Sequence, residues 1–446
     1  MKKMHVLYIH THDSGRYWSP YGYAVPTPHI QRLAEDSLTF RHCYCCGPTC
    51  SPSRSALLTG MYPHENGMLG LAHRGFQLND YSQHLVHHLK ENGCKTILCG
   101  IQHVAPDASM IGYDTILGSQ EFSMGSTEAS MEEWDYNNTK ALCTYLETEK
   151  EDCPVFISLG FFNTHREFPS AKGKVAQEYT AVPPVLYDCE QNRKDMADYH
   201  ASVKVVDECL GMLLKTLHAT GLYDSSIILM TTDHGIAFPN MKCNLYDTGI
   251  GVACLLHYPQ NPSRGEATDS LISQIDILPT LCELVGIPIP CHARGVSLVP
   301  LLEKRVKTVR SEVFSEVNYH AAYEPMRCVR TDRYKLIHFY DDHDSLVLAN
   351  IDESPSKAFL MDHGLRDRRR CKMYLFDLYH DPMERENVAA DAGYQEILLD
   401  MESRLLAWMV ETNDPLLVHK HRIPKPPKAL VNKLTCENPR LDDFEE

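Results

Sequence analysis

Short apolar runs alternate with longer amphipathic stretches along the amino-terminal part of the chain. The apolar runs end abruptly in polar residues and are VLYI (6–9), TILCG (96–100), VFISLGFF (155–162) and SIILMTT (226–232). The amphipathic stretches have helical periodicity and cover residues 29–40, 82–93 and 198–221. Buried strands that alternate with amphipathic helices predict an α/β fold, in which helices cover both faces of a mainly parallel sheet.

Polar clusters follow the predicted strands at the point where each strand ends. His12–Asp13 come after the first run, His103 after the second, His165 after the third, and Asp233–His234 after the fourth. Ligands bind at the carboxyl ends of the strands in sheets of this kind. The sequence therefore predicts one site that gathers these side chains.

The pattern changes after about residue 305, where short strand-like runs replace the long helical stretches. These runs lie at 312–319, 327–340 and 372–388, and an amphipathic helix follows at 396–414. We predict a main domain at 1–305 and a smaller α+β subdomain at 306–446, with an antiparallel sheet and a helix. The basic, proline-rich tail at 420–433 is predicted to be an extended strap.

Composition narrows the classes of protein that need to be considered. The chain has 446 residues, 43% of them hydrophobic, and a formal net charge of -16. A large core is expected, and the acidic balance argues against a nucleic-acid partner, which needs a basic face. No apolar run approaches the ~20 residues of a membrane span, and VLYI is too short for a signal peptide. We expect no membrane partner and a cytoplasmic setting, with most of the 17 cysteines reduced and buried.

The stretch CCGPTCSPSRSALLTG (45–60) predicts a short helix with a thiol at its start. Pro52 suits the first turn of a helix, and Gly60 suits its end. Cys50 would then lie at a surface-accessible helix N-terminus that stabilises negative charge, with Arg54 one turn away. A structural zinc site made of Cys43, Cys45, Cys46 and Cys50 is the alternative, but no second cysteine pair follows at the usual spacing.

Cys50, Pro52, Ser53 and Arg54, followed by LLTG (57–60), resemble the signature of the type I sulfatases. The flanking segments VPTPHIQRLAEDSLTF (25–40) and MYPHENGMLG (61–70) extend the resemblance, which is strongest to the heparan N-sulfatase (sulfamidase) type and runs from residue 5 to about 415. The resemblance implies an alkaline-phosphatase-like fold. It also implies that a separate maturation enzyme converts Cys50 to Cα-formylglycine.

The resemblance also implies one divalent cation, Ca²⁺, held by residue 50 and by His12, Asp13, Asp233 and His234. His12 departs from the family, because most sulfatases carry an aspartate at this position. Hard Ca²⁺ prefers oxygen ligands, whereas imidazole suits Mn²⁺ or Zn²⁺ better. The sequence leaves open which of these ions binds, and whether His12 is a ligand or a neighbour that hydrogen-bonds to one.

In the mechanism that the resemblance implies, the hydrated aldehyde at residue 50 attacks sulfur. Arg54, Lys242 and the cation stabilise charge on the sulfuryl oxygens. His165 and Lys242 bind the sulfate, and His165 is a candidate general acid for the leaving group. His103 is a candidate base that removes a proton from the remaining hydroxyl.

Two further positions bear on the substrate. The family pattern Gly-Lys-x-His becomes GIQH at 100–103, so Ile101 stands where a sulfate-binding lysine is usual. Arg327 lies in the part of the subdomain that lines the substrate entrance in sulfamidase-like proteins. It is a candidate contact for a second acidic group, although a lone arginine is as often simply solvated.

Three functions are compatible with these residues. The first is a sulfatase that cleaves the O–S or N–S bond of a small sulfated sugar. The second is a phosphonate monoester hydrolase or phosphodiesterase of the same superfamily, which His234 and the missing lysine at Ile101 favour somewhat. The third is a binding protein in which Cys50 is never modified. The intact Cys50-to-Arg54 motif favours an enzyme, with its substrate and the maturation enzyme as the expected partners.

Overall fold

The computed structural model describes residues 4–119, 128–419, 422–439 and 443–445. Lys420 and His421 of the predicted strap lie outside the described residues. The strands, in chain order, are β1 His5–Thr11, β2 Leu38–Phe40, β3 Cys43–Tyr44, β4 Lys95–Gly100, β5 Thr115–Leu117, β6 Val155–Gly160, β7 Ser226–Thr232, β8 Gly251–Val252, β9 Cys254–His257, β10 Glu266–Thr268, β11 Ile272–Ser273, β12 Glu312–Tyr319, β13 Tyr323–Thr331, β14 Tyr334–Phe339 and β15 Met373–Asp377.

The α-helices lie between the strands and after the last strand. In chain order they are α1 Pro28–Glu35, α2 Cys50–Thr59, α3 Pro63–Asn66, α4 Leu85–Glu91, α5 Glu128–Thr148, α6 Glu190–Thr220, α7 Asp247–Ile250, α8 Ile277–Val285, α9 Val299–Leu302, α10 Pro355–Asp362 and α11 Gln395–Glu411. None of the helices in the described residues combines the length and the apolarity that crossing a bilayer requires.

The main sheet has eight strands in the order β10-β2-β9-β7-β1-β6-β4-β5. The strands from β7 to β5 are parallel to their neighbours. β9 is antiparallel to both β7 and β2, while β10 is parallel to β2. The predicted mainly parallel sheet is therefore confirmed, with β9 as its reversed strand.

Helices cover both faces of this sheet, as predicted. In β1, Val6 and Tyr8 belong to an apolar cluster that includes residues of α2, α4 and α8. Leu7 and Ile9 point the other way, into a cluster with residues of α1, α5 and α6. The alternation along β1 thus separates two cores, and the polar residues that follow the strand emerge at the sheet edge between them.

The structure shortens one predicted helix and lengthens another. The stretch 29–40 divides into α1 and β2, because residues 38–40 pair with β9 and β10. The helix predicted at 198–221 begins at Glu190 instead. The first turns of α6 are polar and carry little hydrophobic periodicity, so the sequence pattern does not predict them. Farther along α6, Asp207 accepts hydrogen bonds from the backbone N–H groups of His29 and Ile30 at the start of α1.

The carboxyl-terminal part contains the predicted antiparallel sheet and helix. The sheet order is β12-β13-β14-β15, and α11 packs on it, with Trp408 stacked on Phe314 at a ring-centroid distance of 5.0 Å. Residues of this part and of the main domain share one apolar cluster. The boundary at residue 305 stays a prediction.

A buried ion-pair network ties the antiparallel sheet to the end of α11. The Arg327 guanidinium lies 3.0 Å from Asp414 Oδ1 and 3.3 Å from Glu316 Oε2, and all three side chains are buried. Glu316 also accepts a hydrogen bond from the backbone N–H of His64 at 2.7 Å. Every charged group in this network has an opposite charge in contact, which is what makes its burial tolerable.

We expect Asp414→Ala to lower the free energy of unfolding by about 3–5 kcal/mol, because Arg327 would remain buried without its principal partner. The shift in the urea midpoint of the full-length protein measures this loss. Glu266→Ala is the matched control, since it removes an exposed ion pair with Lys304 that should contribute about 0–1 kcal/mol. Equal losses in the two variants would contradict the role of the network.

Candidate active site

The predicted site residues meet at the carboxyl-terminal edge of the main sheet. β1 ends at Thr11 and β7 at Thr232, and these two residues are paired in the parallel register. Asp13 and Asp233 follow directly, so the backbone N–H of Asp13 donates to Asp233 Oδ1 at 2.9 Å. The first residue of α2, Cys50, faces the same point.

The Asp233 carboxylate is held by groups from three elements. Its Oδ1 accepts hydrogen bonds from the backbone of Asp13 and of His234, both at 2.9 Å. Its Oδ2 accepts a hydrogen bond from Arg54 Nη2 at 2.9 Å. With this side chain buried, the carboxylate has one fixed orientation.

The Arg54 side chain also contacts the end of β1. Its Nη2 also donates to the Thr11 carbonyl at 2.9 Å, and its Nη1 contacts His10 Nδ1. Burial opposes the charge of the guanidinium, but Asp233, together with neighbours that include Asp13, raises the pKa of Arg54. Arg54 is therefore a permanent cation whose contacts hold Asp233 and the end of β1.

The Cys50 thiol is enclosed by other site residues. Its Sγ lies 3.4 Å from His234 Nε2 and 3.9 Å from Asp13 Oδ1, and only 2% of the residue is exposed. Burial raises the pKa of the thiol well above its usual range, so an unmodified Cys50 is neutral near pH 7. The prediction of a surface-accessible Cys50 is wrong, because the first turn of α2 is buried along its whole circumference.

The other thiols of this stretch do not join Cys50 in a metal group. All 17 cysteines are free, and most of them are buried, as predicted. Among the described residues, no cluster of metal-binding side chains combines Cys43, Cys45 or Cys46 with Cys50. The zinc alternative therefore has no support in the structure.

His12 has the environment of a metal ligand. It is fully buried, and neither of its ring nitrogens has a hydrogen-bond partner among the described residues. Its nitrogen and the donor atoms of Asp13, Cys50 and Asp233 all lie within 4.8 Å of one another. An imidazole buried without partners is costly. A divalent cation at this point would engage that nitrogen, so the donor set fits one.

His234 directs one of its ring nitrogens toward the same point. Its Nδ1 lies 3.0 Å from the Gly235 carbonyl oxygen and donates to it. The Nε2 lone pair is therefore free to bind a cation, and it lies 3.2 Å from Asp13 Oδ1. The structure thus brings all five predicted metal-site residues together.

Lys242 adjoins this cluster through Asp13. Its Nζ is 3.0 Å from Asp13 Oδ2 and 2.9 Å from Asp352 Oδ2. Burial opposes the charge, but the two carboxylates raise the pKa of Lys242 well above its usual range. The predicted sulfate-binding lysine is therefore a charged group at the site.

His103 stands beside His12 and is supported by a second histidine. The rings of His103 and His12 have centroids 5.4 Å apart, and His103 Nε2 lies 3.1 Å from His73 Nδ1. The other ring nitrogen of His103, Nδ1, is buried without a partner among the described residues. Burial is the main reason why the pKa of His103 lies well below its usual range, with His73 and Arg54 adding to it. His103 is thus a neutral imidazole that can accept a proton.

His165 approaches His12 from the other side, with ring centroids 5.3 Å apart. Its Nδ1 donates to the Arg166 carbonyl at 2.5 Å, so Nε2 is the atom free to exchange a proton. The Arg166 side chain is fixed by a bidentate pair with Asp195, at 2.7 and 2.8 Å. This anchoring gives His165 a defined orientation.

Ile101 occupies the position of the usual lysine and places no charge there. Its side chain packs against the apolar cluster of Met131, Trp134 and Phe162. The Phe162 ring lies 5.8 Å from the ring of His12. This side of the site is therefore apolar.

Arg327 does not reach the site. Its side chain is 0% exposed and is ion-paired with Asp414 and Glu316. This corrects the prediction of a substrate contact, because the guanidinium is already satisfied by buried carboxylates and has no surface to offer.

Sequence reasoning missed two residues that adjoin the site. His73, on the turn 72–74, supports His103, and Asp352 pairs with Lys242. Neither follows a predicted strand, which is the signal that found the other residues. His320 directly follows β12, and its Nε2 lies 3.9 Å from Asp352 Oδ1.

Comparison with protein families agrees with this geometry. The model of the sulfatase family matches residues 5–287, and the model of the carboxyl-terminal region of N-sulphoglucosamine sulphohydrolase matches residues 238–363. The chain is 28% identical to human N-sulphoglucosamine sulphohydrolase over 446 aligned residues, which cover 88% of this chain and 87% of the relative. It is 23% identical to an N-acetylglucosamine-6-O-sulfatase of Bacteroides thetaiotaomicron over 460 residues, covering 79% and 82% of the two chains.

Solved structures share the fold. One is the structure of a protein in complex with its substrate, D-glucosamine-2-N,6-O-disulfate. It has a TM-score of 0.71 and 19% sequence identity, and the match covers 93% of this chain and 99% of the other. Another is a phosphonate monoester hydrolase of Agrobacterium radiobacter, with a TM-score of 0.71 and 20% identity over 95% and 100%. The fold alone therefore does not separate sulfatases from phosphonate hydrolases, whereas the family models and the curated relatives favour the sulfatase. The chain belongs to the sulfatase family and is a hydrolase of sulfuric esters or sulfamates.

Proposed function

We propose that this sulfatase removes the sulfuryl group from a terminal N-sulfated glucosamine, using a formylglycine made from Cys50. The observation that carries the proposal is the convergence of Cys50, the Asp13–Asp233 pair, the unpartnered His12 and the charged Lys242 at one sheet edge. This arrangement offers a place for a nucleophile, a cation and an anionic sulfuryl group within contact of one another.

Cys50 is the proposed precursor of the nucleophile. The thiol itself is neutral near pH 7 because its burial raises its pKa, which makes it a weak nucleophile without modification. A formylglycine at this position would supply a hydrated aldehyde as the nucleophile toward sulfur. The maturation enzyme that would produce it is a proposed partner, supported by the intact motif from Cys50 to Arg54.

We propose that one divalent cation binds between residue 50, Asp13, Asp233, His12 and His234. The cation supplies positive charge against the sulfuryl oxygens and the attacking hydroxyl. Three of these ligands are carboxylate or hydroxyl oxygens and suit Ca²⁺, the ion that the sulfatase resemblance implies. The two imidazoles favour Mn²⁺ over Ca²⁺.

The two remaining histidines, on opposite sides of the site, are the proposed proton donor (His165) and proton acceptor (His103). His165 Nε2 can protonate the departing nitrogen or oxygen, because Nδ1 is committed to the Arg166 carbonyl. His103 can accept a proton at its unpartnered Nδ1, with its Nε2 directed at His73. A nitrogen of His103 also lies within 4.8 Å of Cys50 Sγ, close enough to act on a group at that residue.

The choice of sugar is supported by the relatives rather than by the cavity. The carboxyl-terminal model that matches residues 238–363 is that of N-sulphoglucosamine sulphohydrolase, and a structural neighbour binds a glucosamine disulfate. Asp352, from this matched segment, lies beside Lys242, and His320 lies beside Asp352. We expect the carboxyl-terminal part to narrow the entrance, which would favour a chain end over the interior of a polymer.

Replacing the nucleophile tests the chemistry. We expect Cys50→Ala, produced together with a maturation enzyme, to lose turnover by more than about 1,000-fold, because covalent catalysis then has no nucleophile. Its urea midpoint should stay near that of the parent. Cys46→Ala is the matched control, since Cys46 is equally buried but contacts Ser273 outside the site; it should keep its activity. Peptide mass spectrometry of residue 50 shows whether the thiol was converted, and full activity in Cys50→Ala would refute the mechanism.

Substitution of His12 tests the metal ligands. We expect His12→Asp to raise the affinity for Ca²⁺ relative to Mn²⁺ by about tenfold, because a carboxylate replaces an imidazole. His12→Ala should weaken both ions. Calorimetric titration of the metal-free protein and the metal-dependent rise in Tm provide the measurements, independently of turnover. If His12→Ala leaves both affinities unchanged, His12 is not a ligand.

A substrate panel tests the assignment of the sugar. N-sulfated glucosamine should have the highest kcat/KM, followed by O-sulfated hexosamines and an aryl sulfate, with internal units of heparan chains lowest. A phenyl phosphonate and a phosphodiester serve as comparisons with the same matured, metal-loaded protein. A higher kcat/KM for either phosphorus compound would overturn the preference for sulfur, and a preference for an O-sulfated sugar would overturn only the choice of linkage.

A further inference from the structure

A carboxylate that the catalytic mechanism does not use lies in direct contact with the sulfate-binding lysine. Asp352 Oδ2 is 2.9 Å from Lys242 Nζ, and the Asp352 side chain is 23% exposed whereas that of Lys242 is 4% exposed. Asp352 is therefore the more exposed partner of this ion pair. An anion that binds Lys242 must come close to this carboxylate.

The backbone around Asp352 is firmly anchored, so the carboxylate is a fixed feature. Asn350 Oδ1 accepts hydrogen bonds from the backbone N–H groups of Ala321 and Ala322, at 3.1 and 2.9 Å. Lys357 Nζ donates to the carbonyl oxygens of Leu348 and Ile351 at 2.9 and 2.7 Å. The segment just before Asp352 is thus tied down at two points.

Asp352 is ionised at neutral pH. Burial by itself would favour the protonated form, but Lys242 and His320 hold the pKa of the carboxyl well below its usual range. The distance of 2.9 Å between Asp352 Oδ2 and Lys242 Nζ is typical of a pair in which both groups are charged, which also indicates an ionised Asp352.

The other side of the sulfuryl pocket lacks the cation that is usual in the family. Ile101 stands there, packed against Phe162 and Trp134. The pocket therefore has no cation on the Ile101 side, and it has a carboxylate beside Lys242. Both features act against anions that carry two charges more than against those that carry one.

We propose that Asp352 is a specificity-determining residue that makes the pocket select singly charged sulfuryl groups over dianions. The proposal rests on the proposed function of the site. A sulfate ester or sulfamate carries one negative charge on its sulfuryl group, whereas inorganic sulfate and a phosphate monoester carry two near neutral pH. The carboxylate repels a dianion about twice as strongly as a monoanion in the same position.

This selection favours release of the product. Hydrolysis of a sulfamate with one water yields an ammonium group on the sugar and a sulfate dianion. The charge in the sulfuryl pocket therefore rises from one to two over the whole reaction, in the second step, when sulfate is released from residue 50. Asp352 weakens binding of the dianion that must leave more than binding of the substrate. The same repulsion excludes phosphate monoesters, which share the tetrahedral shape of the sulfuryl group but carry the extra charge.

A purely structural role of Asp352 makes the opposite prediction. If Asp352 only holds Lys242 in place, removing its charge frees the lysine, and every anion binds more weakly. If Asp352 tunes the charge, removing its charge strengthens binding, and the dianion gains more than the monoanion. The sign of the change therefore separates the two roles.

The experiment is a calorimetric titration of the metal-loaded full-length protein with inorganic sulfate and, separately, with inorganic sulfamate. The two ions have similar shapes and differ by one charge. For Asp352→Asn we expect Kd to fall by about threefold for sulfamate and about tenfold for sulfate, because the interaction energy scales with the charge of the ion. Glu353→Gln, an exposed neighbour, removes the same formal charge and should change neither Kd by more than about 1.5-fold, since exposed charges are screened.

Each other outcome overturns the proposal. Weaker binding of both ions identifies Asp352 as a structural support of Lys242, and equal strengthening shows no selection by charge. If neither Kd changes, or if neither ion binds to the parent protein, the charge of Asp352 does not influence anion binding at this site. Because these titrations need no turnover, a failure to hydrolyse N-sulfated glucosamine would refute the proposed function and leave this result standing.

Discussion

The site depends on the hydrogen bonds that Asp233 accepts at the end of β7. One of its oxygens is held by backbone N–H groups that follow β1 and β7, and the other by Arg54 from α2. These contacts join two strands and the helix that carries Cys50 around a single carboxylate. A side chain that is buried and bonded on both oxygens cannot rotate, so the donor atoms next to it are held in position before any ligand binds.

The charges around this carboxylate explain why the pocket needs a cation. Asp13, Asp233 and Asp352 lie in contact with only two side-chain cations among the described residues, Arg54 and Lys242. Three carboxylates gathered in one site, two of them fully buried, repel one another unless further positive charge is supplied. His12 and His103, whose pKa values burial lowers, provide lone pairs but no charge. A divalent ion would therefore complete the electrostatics of the pocket as well as activate the nucleophile.

How far the sequence predicts the site depends on where each residue stands in the fold. His12, Asp233 and Cys50 were predictable, because strand ends and a helix start have clear local signals and parallel strands bring their ends together. Asp352 and Arg327 could not be assigned in this way. Their environments arise from contacts between segments far apart in the chain, such as the pair of Arg327 with Asp414. A charged residue in a turn or an antiparallel strand has no local pattern that separates a buried ion pair from a solvated surface. Likewise β2 and β9, whose pairing breaks the predicted helix at 29–40, are short strands that only long-range pairing stabilises.

The segment at 430–432 packs on turns at the rim of the site. Leu430 donates its backbone N–H to the Arg74 carbonyl, beside His73, and Asn432 donates to the Ala321 carbonyl, beside His320. Cys50 itself is 2% exposed in the folded protein. An enzyme that modified its thiol would therefore need the first turn of α2 in an unfolded or opened state, and a chain that had already folded would keep its cysteine.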